Sequence, residues 1–162
     1  MYTLDNMLHT CCFIGHREIC ETEELRLQLY KVIEKLIIDE KVDTFLFGSK
    51  SLFNNLCYEL VTEIKEKHLS INRIYVRAEY PEISQNYEAY LLENYEYTYY
   101  PSNAIGAGKA VYIRRNIEMI NKSHFCVFYY KEDYMPKSRK SGTRIVFDYA
   151  TKHNKIIYQF PK

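Results

Sequence analysis

Residues 108–123 read GKAVYIRRNIEMINKS, residues 124–130 read HFCVFYY, and residues 141–150 read SGTRIVFDYA. In the first stretch Ala110, Ile113, Ile117 and Ile120 recur at helical spacing. The second is an unbroken apolar run of strand length. The third opens on a small-residue turn and returns to helical spacing. Helix, buried strand, helix is the order of an α/β protein whose parallel sheet is covered on both faces. That order also carries Arg114, Arg115 and the amides around Gly142 to the carboxyl ends of the strands. Ligands bind there in open α/β sheets, and a helix N-terminus beside guanidinium groups favours an anion such as phosphate.

The alternation extends toward the N-terminus. Residues 8–15 (LHTCCFIG) form an apolar run ending in glycine, which predicts a buried strand. Residues 21–39 predict a helix, with Leu25, Leu29, Val32 and Leu36 in one stripe and Ile33 and Ile37 widening it. Its first turn holds Glu21, Glu23 and Glu24, favoured there by the helix dipole. A second apolar run ends at Gly48 (residues 42–48), and a helix follows over 51–67. Leu52, Leu56, Leu60 and Ile64 are assigned to its buried face, with Phe53, Cys57 and Val61 beside them. A shorter strand spans 71–76.

Residues 79–106 break the rhythm. They predict a short helix over 87–93, an extended piece over 96–100 and a turn marked by Pro101, Ser102, Asn103 and Gly106. Tyr80, Tyr87, Tyr90, Tyr95, Tyr97, Tyr99 and Tyr100 crowd this region. A loop over 131–141, long enough to act as a lid, a helix over 142–153 and a strand over 155–160 complete the chain. The expected product is one three-layer α/β domain over residues 1–162, with a mainly parallel sheet of about five strands in the order 3-2-1-4-5.

Composition narrows the function classes. The 162 residues carry 22 Lys and Arg against 21 Asp and Glu, so no global field recruits nucleic acid or an acidic membrane. The N-terminus lacks the basic and apolar regions of a signal peptide, and no apolar run approaches the ~18 residues that cross a bilayer. Cys11, Cys12, Cys20, Cys57 and Cys126 are odd in number and form no C-x-x-C pair, which predicts reduced thiols in a cytoplasmic protein. No two histidines stand at metal-ligand spacing, so neither a metal nor a cofactor is expected.

Four clusters are candidates for ligand contact. Gly15-His16-Arg17-Glu18 follows the first strand, where a doubly wound sheet places phosphate contacts. Gly15 could equally end a strand, with Arg17 paired to a helix carboxylate. Gly48-Ser49-Lys50-Ser51 follows the second strand. Glycine there permits close backbone approach, and Ser51 is placed to cap the next helix. Arg115 and Asn116 lie on the 108–121 helix, and Ser141-Gly142-Thr143 open the last one. Arginine offers phosphate a bidentate fork, and the first amides of a helix add donors.

These motifs resemble the SLOG superfamily, a Rossmann-like group that includes the lonely-guy phosphoribohydrolases and DprA-type proteins. The likeness is strongest toward its YpsA/YoqJ-like branch and covers most of the chain. The opening CCFIGHRE (residues 11–18) is similar to that branch's strand-plus-arginine start. Arg115, Met119 and Ser123 reproduce the four-residue steps of the lonely-guy pattern, with Asn116 where lysine is usual. Ser141-Gly142-Thr143 resembles the end of its phosphate loop, without the Pro-Gly-Gly that precedes it. The resemblance implies a nucleotide or nucleotide-derived ligand, with tyrosines from residues 80–100 stacking on its base. It also implies a homodimer.

The resemblance gives the hydrolases a glutamate just after the Gly-Thr pair. Here Arg144, Ile145 and Val146 stand at those positions. The expectation is therefore a binding protein without efficient phosphoribohydrolase activity. The alternatives are an N-glycosidase using Glu18, Glu79 or Asp148, and an interaction module with a vestigial pocket.

Overall fold

A computed structural model describes residues 6–131 and 142–162. Ser141 and the loop read as a lid lie outside the described residues, apart from Lys131 at its start. Six strands form one sheet: β1 (Thr10–Gly15), β2 (Thr44–Phe47), β3 (Asn72–Val76), β4 (Tyr97–Tyr99), β5 (Phe125–Tyr129) and β6 (Ile156–Phe160). Every pairing is parallel, in the order β4-β3-β2-β1-β5-β6. The helices are α1 (Glu23–Ile38), α2 (Leu52–Lys65), α3 (Gln85–Asn94), α4 (Val111–Asn121) and α5 (Gly142–Lys152). This is a Rossmann-like three-layer sandwich. The five expected strands take the expected order, and β4 adds a sixth outside β3.

Alternation along the strands divides the core. Cys11, Phe13, Phe45, Phe47 and Val127 face one layer with Leu29, Ile33, Phe53, Leu60 and Val61 of α1 and α2. Cys12, Ile14, Leu46, Ile74 and Phe128 face the other with Met119, Ile120, Val146 and Ala150 of α4 and α5. A strand buried on both faces has no polar side, which is why β1, β2 and β5 read as unbroken apolar runs. Each interior aliphatic or aromatic side chain contributes about 1.5–3 kcal/mol on burial, so this double-sided core dominates the stability.

Local sequence sets the helix starts. Thr22, Ser51 and Ser84 each accept a hydrogen bond from the amide three residues on, capping α1, α2 and α3. Leu52 departs from its assignment to the buried face, because it is 52% exposed at the first position of α2. Asn54 is buried in its place. Residues 108–110, expected as α-helix, form a 3-10 turn that leads into α4. The extended piece after α3 becomes a true strand because the Arg73 guanidinium grips Glu96 at 2.7 Å and the Glu96 amide reaches the Arg73 carbonyl. Those bonds seat Tyr97–Tyr99 against β3.

Candidate cleft at the carboxyl ends of the strands

The carboxyl ends of β1, β2 and β3 open into a cleft of about 1320 Å³. Nine of the ten sequence-derived candidates line it, and the tenth, Ser141, lies outside the described residues. Gly15, His16 and Arg17 come from the end of β1, Gly48 and Ser49 from the end of β2. Arg115 and Asn116 come from α4, and Gly142 and Thr143 from the start of α5. Segments far apart in sequence are thus brought to one place by the strand order.

Arg115 is the buried cation among the described residues of the cleft. It is 5% exposed, whereas Arg114 on the same helix faces solvent. The Nε of Arg115 donates to Asn116 Oδ1 at 2.8 Å. Its guanidinium carbon lies 5.8 Å from the centre of the Tyr112 ring, a cation–π contact. Among the described residues no carboxylate forms an ion pair with it, and its two terminal nitrogens have no hydrogen-bond partner. Burial pulls its pKa down to about 10, with Tyr75, Tyr112 and Glu79 acting in the opposite direction. It is still a cation at neutral pH. A buried charge without a counter-charge is costly, and an incoming anion removes that cost.

The loop after β2 is built around this arginine. A Cβ on Gly48 would stand 2.6 Å from Met119 Sδ and 2.7 Å from Arg115 Cδ. Glycine at this position lets the arginine lie across the loop. Asn54 fixes the loop from below: its Oδ1 accepts from the Gly48 amide at 3.1 Å, and its Nδ2 donates to the Phe13 carbonyl at 3.3 Å. Ser49 Oγ donates to Ser51 Oγ, which caps α2, and accepts from the Ser51 amide. The amides of Ser49 and Lys50 make no hydrogen bond among the described residues, so two further donors border the cleft.

Gly15, His16 and Arg17, at the end of β1, divide by role. Gly15 is glycine for packing, since a Cβ would meet Phe53 Cδ2 at 2.6 Å and Tyr129 Cβ at 3.0 Å. The buried His16 ring accepts the Lys131 amide at Nε2, 3.0 Å away, and packs against Tyr129 and Tyr130. Desolvation lowers its pKa, in keeping with an acceptor nitrogen that must be unprotonated. Arg17 is exposed and forms no ion pair among the described residues, so the pairing with a helix carboxylate is not observed. Its carbonyl instead receives the Leu52 amide, joining the β1 loop to the start of α2.

The Arg115-Met119-Ser123 spacing places Arg115 and Met119 on the buried side of α4 and the buried Ser123 just past its end. Met119 packs under Gly48, and Ser123 Oγ donates back to the Met119 carbonyl at 2.8 Å. Tyr75, Arg77, Glu79, Tyr80 and Tyr87 also line the cleft. Of the three carboxylates considered as catalytic groups, Glu79 lines the cleft, while Glu18 and Asp148 do not. Asn54, Tyr75, Arg77 and Tyr112 were not among the sequence-derived candidates. An asparagine within the apolar stripe of α2 was the available signal for Asn54. Among the described residues no group of three or more His, Cys, Asp or Glu is placed to hold a metal ion. Nor, among those residues, is any helix long and apolar enough to cross a membrane.

No protein-family model matches this sequence, and no curated protein matches it.

Proposed function

We propose that the protein binds a nucleotide or nucleotide-derived ligand, signalling nucleotides included, and belongs to the SLOG type. The observation that carries the reading is Arg115: buried, cationic and without a carboxylate partner among the described residues, at the focus of a cleft. Phosphate on its terminal nitrogens would be met by the amides of Ser49 and Lys50, with the N-terminus of α5 on the cleft wall. Tyr75, Tyr80 and Tyr87 offer aromatic faces to a base. Isothermal calorimetry with nucleoside mono- and diphosphates tests this. Binding to wild-type protein that is lost in Arg115→Ala supports it, and equal affinity in the two proteins refutes it.

A second reading has one observation in its favour. Glu79 brings a carboxylate to the cleft, so an N-glycosidase with a relocated acid is the enzymatic alternative. Binding without efficient turnover remains our reading, because Arg144-Ile145-Val146 follows the Gly-Thr pair and affinity alone does not stabilise an oxocarbenium-like transition state. Chromatography of adenosine and cytidine monophosphate incubations decides. Steady release of free base that Glu79→Gln abolishes would establish the enzyme. A homodimer is part of the proposal, and light scattering that gives a single 19.5 kDa species at high concentration would remove it.

A further inference from the structure

The cleft is lined by Arg17, Lys50, Arg77 and Arg115, yet Glu79 also lines it, as the only carboxylate among the described lining residues. No ion pair joins Glu79 to any of these cations among the described residues. Its Oε1 instead accepts a hydrogen bond from the Tyr112 hydroxyl at 2.8 Å. That bond raises the Tyr112 pKa, which keeps the hydroxyl protonated and donating. The ring of the same tyrosine carries the Arg115 guanidinium. One side chain thus holds a cation at its face and an anion at its tip, and fixes the interval between them.

A carboxylate only accepts hydrogen bonds. It repels phosphate, so a ligand anchored on Arg115 must turn its donor-bearing part toward Glu79. The Tyr112 hydroxyl occupies one acceptor direction, and the remaining lone pairs suit two neighbouring donors.

We propose that Glu79, positioned by Tyr112, reads a pair of adjacent hydrogen-bond donors on the nucleotide whose phosphate Arg115 holds. This rests on the nucleotide reading given above. Two parts of a nucleotide present that chemistry: the cis-diol of ribose, and the N1–H and N2–H₂ edge of guanine. A ligand lacking one donor leaves the carboxylate underpaired, and hydrogen bonds to charged groups are strong enough to make this a tenfold effect or more.

The test is calorimetry on the full chain with GMP, 2′-deoxyGMP, IMP and inorganic pyrophosphate, for wild type, Glu79→Gln, Tyr112→Phe and Arg115→Ala. Thermal melts establish that each variant is folded. In wild type GMP binds at least about tenfold more tightly than 2′-deoxyGMP if the diol is read, or than IMP if the guanine edge is read. Glu79→Gln collapses that ratio, while its pyrophosphate affinity does not fall because a negative charge has been removed. Tyr112→Phe reduces the same ratio in part. A Glu79→Gln variant that keeps the wild-type ratios overturns the proposal. Wild-type protein that binds pyrophosphate through Arg115 but discriminates none of the three nucleotides overturns it and leaves the anion site standing. Protein that binds neither pyrophosphate nor nucleotide overturns both.

Discussion

Arg115 occupies the space that a side chain at residue 48 would fill. A Cβ built on Gly48 lies 2.7 Å from Arg115 Cδ and 2.8 Å from its Nε, well inside van der Waals contact. The loop after β2 and the arginine of α4 are therefore one structural unit. Gly48→Ala is expected to push Arg115 aside. The crowded atoms belong to the flexible side chains of Arg115 and Met119, so the stability loss should be moderate, roughly 1–3 kcal/mol. Anion affinity should fall at least tenfold. Thermal melts together with phosphate titration measure both, and unchanged affinity would separate the loop from the site.

Arg115→Met is expected to leave the ligand-free protein as stable as wild type or more so, by about 1–3 kcal/mol. Burial of the guanidinium, with no carboxylate paired to it among the described residues, is the cause, and it appears as the pKa lowered to about 10. Methionine keeps much of the packing volume and removes the charge. The gain corresponds to a rise of a few degrees in Tm for a domain of this size. A fall of several degrees would mean that Arg115 is there to hold the fold together.

Asn54→Leu should cost about 2–4 kcal/mol, because the Gly48 amide and the Phe13 carbonyl both lose a buried partner. Hydrogen exchange should show the ends of β1 and β2 opening at lower free energy than in wild type. Protection equal to wild type at Gly48 would contradict the clamp.

How much of this was legible follows from where each signal lies. The apolar runs of β1, β2 and β5 identify themselves because both faces of those strands are buried, and the glycines that end the first two, Gly15 and Gly48, mark the cleft. Leu52 misleads because periodicity cannot tell a helix's first position, which projects past the core, from its second turn. Asn54 escapes because a polar residue on an apolar stripe has meaning only once its partners, Gly48 and Phe13, are in place. Gly15 lines the cleft, and the atoms that require glycine there are Phe53 and Tyr129, which no spacing rule connects to it. The edge strand β4 depends on the Arg73–Glu96 pair, a contact across 23 residues.

Stability should rise with pH as His16 loses its proton. Its folded pKa is lowered by desolvation, so below the ordinary value near 6.5 the unfolded chain takes up the proton first. The contribution is complete above about pH 6.5 and is lost as pH falls through the folded pKa. Melts between pH 5 and 8 should show this slope reduced in His16→Gln, whose amide oxygen can still accept the Lys131 amide. An identical slope in the variant would assign the effect to other groups.

We propose that Arg115, buried and without a carboxylate partner among the described residues, is an anion receptor. The most direct measurement is calorimetric titration of inorganic pyrophosphate into wild-type protein and Arg115→Met at low salt. Saturable binding to wild type and at least a tenfold loss in the variant are expected, matching a charge-assisted hydrogen bond of about 1.5–3 kcal/mol. Equal affinity in the two proteins, or no binding to wild type at millimolar pyrophosphate, would contradict it.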